Sequence, residues 1–382
     1  MTRIYLIRHA EAEGNIYRIA HGQYNSALTD KGWLQVRALQ KRFEDKNIDA
    51  VYSSDLYRAM ATSTAIYKPK GLQLRLMEDL REIDMGRWEC VPWAQLSKDH
   101  PEQLYHFNKV PDRYQPDGGE DYTQVRERML RAIEIITAEN PGKAVAVFSH
   151  GAAIRTLLAA AEGKSLEEMG QTPYGENTAV SLLEVDGEKI HVVFRDSDNH
   201  LVADHLQTLA GQRWSKQQKN QREQGLCFEA MDPQEDGERY LFCRAEYLKS
   251  VYGHLNGFDG VKLLQEAGKL PVRYPAALMK ATFEGEMAGM FQLFPDYGVE
   301  DHVGYIDFYY LLPPYRGQGL GIQLLGQIIM FYRQLGKDKL RLFCEASNTR
   351  AQTFFKRCGF GDAGSLPDGR VILQKFIGFQ PL

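Results

Sequence analysis

Five residues in the first half of the chain are of the types that handle phosphate. Arg8 and His9 close a short, mostly apolar run from Thr2 to Ile7, and His150 follows another from Lys143 to Phe148. Arg58 stands about one turn into a helix-like segment after the run Ile48 to Tyr52, and Glu82 lies in a connecting region. Guanidinium groups grip phosphate through paired, charge-assisted hydrogen bonds. A neutral imidazole is a competent nucleophile near pH 7, and a carboxyl group can pass a proton to a leaving oxygen. The sequence has no GxxxxGK[ST] phosphate loop and no Cys/His metal-ligand spacing. The positive charge must therefore come from side chains, and no metal is expected. A second constellation, Pro313-Pro314-Tyr315-Arg316-Gly317-Gln318-Gly319-Leu320-Gly321, lies between an apolar strand and an apolar helix. Closely spaced glycines at a helix N-terminus expose backbone N–H groups and the positive end of the dipole, which suits a pyrophosphate; a turn that merely allows tight packing is the alternative.

For the first constellation to converge, its residues must share one edge of a sheet. Strand-like runs alternate with helix-like segments across the first 200 residues, which implies a mostly parallel sheet covered on both faces. A helix opens at Thr29-Asp30 with Trp33, Val36, Leu39 or Gln40, and Phe43 marking one face; Ser53-Ser54 caps another through Tyr67, and a third runs from Ala152 to Ala161. Ala179 to Val185 and Lys189 to Phe194 read as a hairpin about Asp186-Gly187. Ligands of open parallel sheets bind beyond the carboxyl ends of the strands. Helical side chains lean toward the helix N-terminus, so Arg58 points back to that edge. After a polar, Gln-rich stretch, the second half reads as a helix from Pro233 to Tyr252, strands Ala276–Phe283, Met287–Phe294 and Tyr305–Leu312, and a helix through Leu335.

The 382 residues are long for one core and comfortable for two. Apolar residues at 43% and charged ones at 25% exclude disorder as the main architecture. A net charge of −4 carries no basic footprint for nucleic acid, so no nucleic-acid partner is expected. Five cysteines, never in CxxC spacing, argue against a disulfide scaffold. No apolar run approaches the roughly 18 residues that span a bilayer, and the N-terminus lacks a signal-like segment. A cytoplasmic protein without a membrane partner is the expectation.

The text around the first constellation resembles the histidine phosphatase, or phosphoglycerate-mutase-like, superfamily over about residues 1 to 203. The resemblance rests on Leu6-Ile7-Arg8-His9-Ala10-Glu11-Ala12-Glu13-Gly14-Asn15, Leu28-Thr29 with Gly32 and Gln35, and Ser53-Ser54-Asp55-Leu56 before Arg58-Ala59. It continues through Leu80-Arg81-Glu82 to Gly86-Arg87-Trp88-Glu89, Gly118-Gly119-Glu120, Ser149-His150-Gly151 and Asn199-His200-Leu201. It implies a three-layer α/β/α domain in which His9 takes the phosphoryl group. Arg8, Asn15, Arg58 and His150 would hold its oxygens, and Glu82, in a pocket walled by Trp88 and other aromatics, would serve as acid and then base. Three positions depart from the pattern: Ala10 for glycine, Ala27 for proline, and Cys90 for the glycine after Trp-Glu. The stretch from Glu82 to His150 is short and aromatic, which favours hydrolysis of a phosphomonoester over a mutase; a mutase is the alternative.

Arg316-Gly317-Gln318-Gly319-Leu320-Gly321, with Asn348-Thr349-Arg350-Ala351-Gln352-Thr353-Phe354-Phe355 and Gly359-Phe360, resembles the GNAT acetyltransferases over roughly residues 226 to 380. It implies a mixed α/β domain that takes acetyl-CoA as co-substrate, with the phosphates on the amides from Gln318 to Gly321 and Asn348 near the pantetheine arm. The tyrosine that commonly protonates the thiolate aligns with Phe355; Asp307 and Glu345 are candidate bases. The expected layout is a phosphatase domain over 1–203, a linker over 204–225 and an acetyltransferase-like domain over 226–382, acting on a phosphomonoester and an amine. A non-catalytic acyl-CoA sensor is the alternative for the second domain, and a homodimer is expected by analogy with GNAT relatives.

Overall fold

The computed structural model describes residues 1–208, 225–297 and 302–382. The chain divides into two compact units, Met1–Glu223 with Pro381–Leu382, and Gln224–Gln380. The Gln-rich stretch read as a linker lies, from 209 to 224, outside the described residues.

The first unit is built on six strands: β1 (Thr2–Arg8), β2 (Ala50–Ser53), β3 (Leu74–Leu76), β4 (Ala144–Ser149), β5 (Val180–Asp186) and β6 (Lys189–Ser197). Their order is β3-β2-β4-β1-β5-β6. The first four are parallel, and β5 and β6 add the antiparallel hairpin. All six residues of β4 are buried, as a central strand covered on both faces requires. Counting helices of eight residues or more, α1 (Asp30–Phe43), α2 (Tyr57–Tyr67), α3 (Pro101–Lys109), α4 (Tyr122–Glu139) and α5 (Gly151–Ala161) belong to this unit. Side chains alternate between the sheet's faces. Val51, Ala146 and Phe148 pack with Val36, Leu39 and Ile66 of α1 and α2. Leu6, Val145 and Val147 pack with Met129, Ile133 and Leu157 of α4 and α5. The three-layer α/β/α architecture is therefore present.

Thr29 caps α1, accepting from the Gly32 amide at 2.9 Å. The start of α2 differs from expectation. Leu56, without a capping side chain, occupies the N-cap, and Ser54 Oγ accepts from the Leu56 amide before the helix begins. Strand β3 has only three residues, half-buried or exposed, and leaves no periodic signal to read.

The second unit holds β7 (Cys227–Ala230), β8 (Leu278–Phe283), β9 (Glu286–Leu293), β10 (Val303–Leu311), β11 (Lys339–Cys344), β12 (Gly361–Ser365) and β13 (Val371–Phe376), in the order β12-β13-β11-β10-β9-β8-β7. Among the described residues of this unit, only β10 and β11 pair in parallel. Glu284 (φ 52°) and Gly285 (φ 91°) form the two-residue, left-handed turn that suits a hairpin's twist. Helices α6 (Gly237–Tyr252), α7 (Gly260–Ala267), α8 (Gly321–Gln334) and α9 (Thr349–Arg357) complete this mixed α/β unit. Among the described residues no helix is long and apolar enough to cross a membrane.

Candidate functional site

Strand register brings the first constellation together. Arg8 pairs with Ser149 across the parallel β1–β4 ladder, so His9 and His150, each one residue further on, leave the sheet side by side. Their ring centroids are 5.2 Å apart. His9 Nδ1 lies 2.7 Å from the Ala10 carbonyl. A carbonyl only accepts, so Nδ1 carries the proton and Nε2 keeps its lone pair. The Ala10 amide donates to Thr62 Oγ1 (2.8 Å), Thr62 donates to the Arg58 carbonyl (2.7 Å), and Asn177 Nδ2 donates to the His9 carbonyl (2.9 Å). The nucleophile candidate is thus tied to α2, which also carries Arg58.

Burial, then the nearby Arg58 and Arg8 cations, hold His9 well below the usual imidazole range. His150 and His21 are depressed in the same way, by burial first and then by Arg58. Arg58 itself falls only to about 10 through burial, so it stays charged near neutrality. Its Nη1 donates to the Tyr24 carbonyl, and its Nη2 to the carbonyls of Gly22 (2.6 Å) and His21 (3.2 Å). Arg58 Nε, Arg8 Nε and both ring nitrogens of His150 are buried with no protein partner. The same loop is held from its amide side by Glu89, which accepts from Gln23 (2.7 Å) and Tyr24 (3.1 Å). Gly22 fits only as glycine, since a Cβ there would lie 2.2 Å from the Ile83 carbonyl oxygen.

A fourth histidine supports the site from behind. Thr178 adopts a left-handed φ of 60°, and its amide donates to the Arg8 carbonyl at 3.1 Å. Arg42 donates to His200 Nδ1, leaving Nε2–H to donate to Thr178 Oγ1 at 3.0 Å. Burial, then Arg42, lowers His200 to about 4. These histidines are neutral when folded and titrate near 6.5 when unfolded. The unfolded chain therefore binds more protons below pH 6.5, and stability, complete above that pH, is lost as pH falls toward the folded values. We expect urea unfolding to report a loss between pH 6.5 and 4 on the order of 3 kcal/mol from His200 alone. A His200→Gln variant should lose that share of the pH dependence; an unchanged profile would contradict the assignment.

Glu82 sits at the start of α5. Its Oε2 accepts from the Ala152 amide (3.0 Å), and its Oε1 from those of Ala153 (2.9 Å) and Ile83 (3.0 Å). The expected wall of Trp88 is corrected: Trp88 is buried in the core against Phe107 and Tyr114, while Trp93 and Phe107 line the cavity. Arg128, which sequence reasoning missed, fixes the Glu82 segment. It forms a two-pronged ion pair with Glu120 (2.7 and 2.9 Å) and donates to the carbonyls of Asp79, Arg81 and Glu82. The Gly118-Gly119-Glu120 motif was the signal that could have found it.

The resulting cavity of about 170 Å³ is lined by Arg8, His9, Asn15 and Glu82 among the expected residues. Arg58 and His150 are fully buried and do not line it. Asn15 spends its Oδ1 on the Ala12 amide (2.9 Å). Arg18 and His21, neither of them expected, also line it. Cys90 does not. Its φ of 67° is of the kind that favours glycine, which accounts for the residue type at that position in the family pattern, and burial pushes its thiol up to about 12. Among the described residues no group of three His, Cys, Asp or Glu side chains could hold a metal.

A second cavity, of about 620 Å³, belongs to the second unit. Parallel pairing of β10 and β11 ends at Ile306 and Leu342; beyond it, Asp307–Leu311 and Phe343–Cys344 line the opening. Arg316, Gly317, Gly319, Gly321 and Asn348 line it, whereas Gln318 and Leu320 do not. Gln318 Nε2 instead donates to the Pro314 carbonyl (2.7 Å), and Leu320 is buried as the N-cap of α8. Asn348 Oδ1 caps α9 by accepting from Ala351 (3.1 Å). Gly317 and Gly319 hold left-handed φ values of 75° and 79° with open space above them, and Gly321 begins α8. This cradle and volume fit a nucleotide-like pyrophosphate ligand such as acetyl-CoA. Phe355 is buried against Tyr309, Phe354 and Phe360. Of the two candidate bases, Asp307 lines the cavity but is ion-paired with Arg244, and Glu345, which accepts from the Tyr252 hydroxyl, does not line it.

Comparison with known proteins follows the same division. The family model described as "Histidine phosphatase superfamily (branch 1)" matches residues 4–197, and "Acetyltransferase (GNAT) family" matches residues 221–360. A putative phosphoserine phosphatase 2 of Hydrogenobacter thermophilus is 27% identical over 194 residues, covering 51% of this chain and 95% of the relative. A metal-independent phosphoserine phosphatase of Arabidopsis thaliana is 32% identical over 163 residues, covering 41% and 67%. The solved structure of Bacillus stearothermophilus YhfR superposes with a TM-score of 0.51 at 32% identity, covering 53% of this chain and 100% of that one. The first match spans half of the sequence: the chain belongs to the histidine phosphatase superfamily, branch 1, and carries a GNAT-family acetyltransferase domain in its second half.

Proposed function

We propose that the first unit hydrolyses small phosphomonoesters through a phosphohistidine on His9. The observation that carries this is the hydrogen bond from His9 Nδ1 to the Ala10 carbonyl, which leaves an unprotonated Nε2 in a cavity beside fixed cations. Nε2 attacks phosphorus as the bridging P–O bond breaks, and Glu82 gives its proton to the departing oxygen. Arg8 and Asn15, which line the cavity, hold the phosphoryl oxygens, and the buried Arg58 behind them adds fixed charge, which supplies the positioning and electrostatics that phosphoryl transfer demands. Water then surrenders a proton to the Glu82 carboxylate and attacks phosphorus, freeing His9. The apolar lining from Trp93, Leu104 and Phe107 favours this hydrolysis over retention of a bisphosphate by a mutase. Rapid quenching with ³²P-labelled substrate should trap a label that survives base and is lost in acid, as a phosphoramidate is. An acid-stable label, or none during the first turnover, would overturn the reading.

In the second unit, Gln224–Gln380, we infer acetyl transfer to an amine. Acetyl-CoA, when bound, supplies the activated acyl group. The backbone of Gly317–Gly321 and the start of α8 would hold its pyrophosphate, with Asn348 beside the pantetheine arm. Phe355 favours a second reading, an acyl-CoA sensor, because its ring has no proton to give. Turnover of acetyl-CoA with any member of an amine panel would exclude the sensor. For either reading we expect Gly321→Ala to weaken CoA binding at least tenfold by calorimetry, since the added methyl would lie 2.9 Å from the Phe354 ring and disturb the cradle. Unchanged affinity would place the ligand elsewhere.

A further inference from the structure

Glu89 stands in the same sequence motif as Glu82, yet the transfer described above gives it no part. It is half-buried and does not line the phosphatase cavity. It binds the loop that does. Its Oε1 accepts from the Gln23 amide at 2.7 Å and its Oε2 from the Tyr24 amide at 3.1 Å. Two successive amides aimed at one point make an anion-binding concavity, and here the protein's own carboxylate fills it. Oε1 also accepts from the Met85 amide at 3.2 Å, three residues beyond Glu82. One side chain thus fastens the loop to the segment that bears the proposed acid.

The carbonyls of His21, Gly22 and Tyr24 accept from Arg58, which is fully buried. The loop is therefore held between a guanidinium that answers its carbonyls and a carboxylate that answers its amides. It has no slack. A Cβ on Gly22 would lie 2.2 Å from the Ile83 carbonyl oxygen and 2.4 Å from Glu89 Oε1. Gln23 Nε2 adds a hydrogen bond to the Glu82 carbonyl at 3.3 Å. His21 and Gly22 line the cavity with Arg8 and Asn15, so a shift of the loop moves the wall of the phosphate site and the aim of Arg58 together.

The charge on Glu89 matters as well as its shape. Burial raises its carboxyl above the usual carboxylate range, against the pull of the three amides and of Arg58. A side chain needed only for its volume would be better uncharged in such a place. An ionised carboxylate accepts from all three amides and faces Arg58 as a counter-charge. A carboxamide has one accepting oxygen and turns its N–H groups toward other donors.

Resting on the phosphatase reading, we propose that Glu89 is a positioning residue that presets the phosphate site by locking the loop from His21 to Tyr24 and, through it, aiming Arg58. Glu82 is held separately by the amides of α5, so the chemical step is spared. The contribution is to seating the phosphoryl group, whichever ester carries it.

The test uses the full-length protein, with p-nitrophenyl phosphate as substrate and inorganic phosphate as competitive inhibitor. Glu89→Gln, close to glutamate in size, should raise KM and the phosphate inhibition constant together by about tenfold, with kcat within about threefold of wild type. Glu89→Asp, shorter but charged, should recover part of that loss. If Glu89→Gln does not fold, Glu89→Asp carries the test alone, with a rise of about threefold or more in both constants. Three results would each overturn the assignment: both constants unchanged in Glu89→Gln, a fall in kcat with phosphate inhibition unchanged, or glutamine matching wild type more closely than aspartate does, as a space-filler would. Each of these leaves the wild-type phosphoenzyme in place. A wild-type protein that neither hydrolyses the ester nor forms a phosphoenzyme would overturn the phosphatase reading instead.

Discussion

His9→Ala should lower hydrolysis of p-nitrophenyl phosphate by about 10⁴-fold or more, because a nucleophile acts as one unit with its acid and its charge cage. The cage left behind cannot replace it. Arg8 and Arg58 would still attract the dianion, but water would have to attack without the covalent step that divides the barrier. The substitution should leave the fold standing. His9 makes one side-chain hydrogen bond, to its neighbour's carbonyl, while its backbone ties to Ser149 and Asn177 do not depend on the ring. Acetyl-CoA affinity of the second unit is the internal control: its persistence alongside lost phosphatase activity separates chemistry from misfolding. A variant that keeps more than about a hundredth of the wild-type kcat/KM would remove His9 from the proposed role.

What the sequence made legible followed from topology. Arg8, His9 and His150 each follow an apolar run by one or two residues, and parallel strands must deliver such residues to a shared edge. The glycine loop was legible for a similar reason, since Gly317 and Gly319 need backbone conformations that other residues resist. Tertiary partners were not legible. Arg58 looks like a pure anion ligand in sequence, yet its two terminal nitrogens hold the loop from His21 to Tyr24. Trp88 stands close to Glu82 in sequence but packs into the core. Glu82 itself meets α5, some seventy positions away in the chain, and no local pattern announces that contact. Leu56 begins α2 without a capping side chain, so the serines before it misplace its start.

Arg128→Leu should cost about 3–5 kcal/mol of unfolding free energy and lower kcat by roughly 100-fold at temperatures where the variant remains folded. In sequence Arg128 is one of several charges on a long amphipathic helix; in the fold it is buried and donates to five oxygen acceptors, two on Glu120 and three on the backbone. Removing it leaves a half-buried carboxylate without its counter-charge and takes a donor from each of three carbonyls, the situation in which breaking a buried pair is most damaging. Arg128→Lys should recover little, because an ammonium cannot reproduce the planar fork that spans Glu120 and the Glu82 segment. The effect on rate has a separate origin. Arg128 touches the Glu82 carbonyl, and Glu120 also accepts from the Asp84 amide at 2.9 Å, so the pair brackets the proposed acid from both sides. Arg128 is thus a positioning residue. Its loss should depress kcat more than it raises KM and should flatten the pH–rate limb that reports the acid, while His9 and its cage remain in place. A variant that unfolds more easily but keeps the wild-type kcat and pH profile would reduce Arg128 to a structural brace, and Glu82 would then owe its position to the amides of α5 alone.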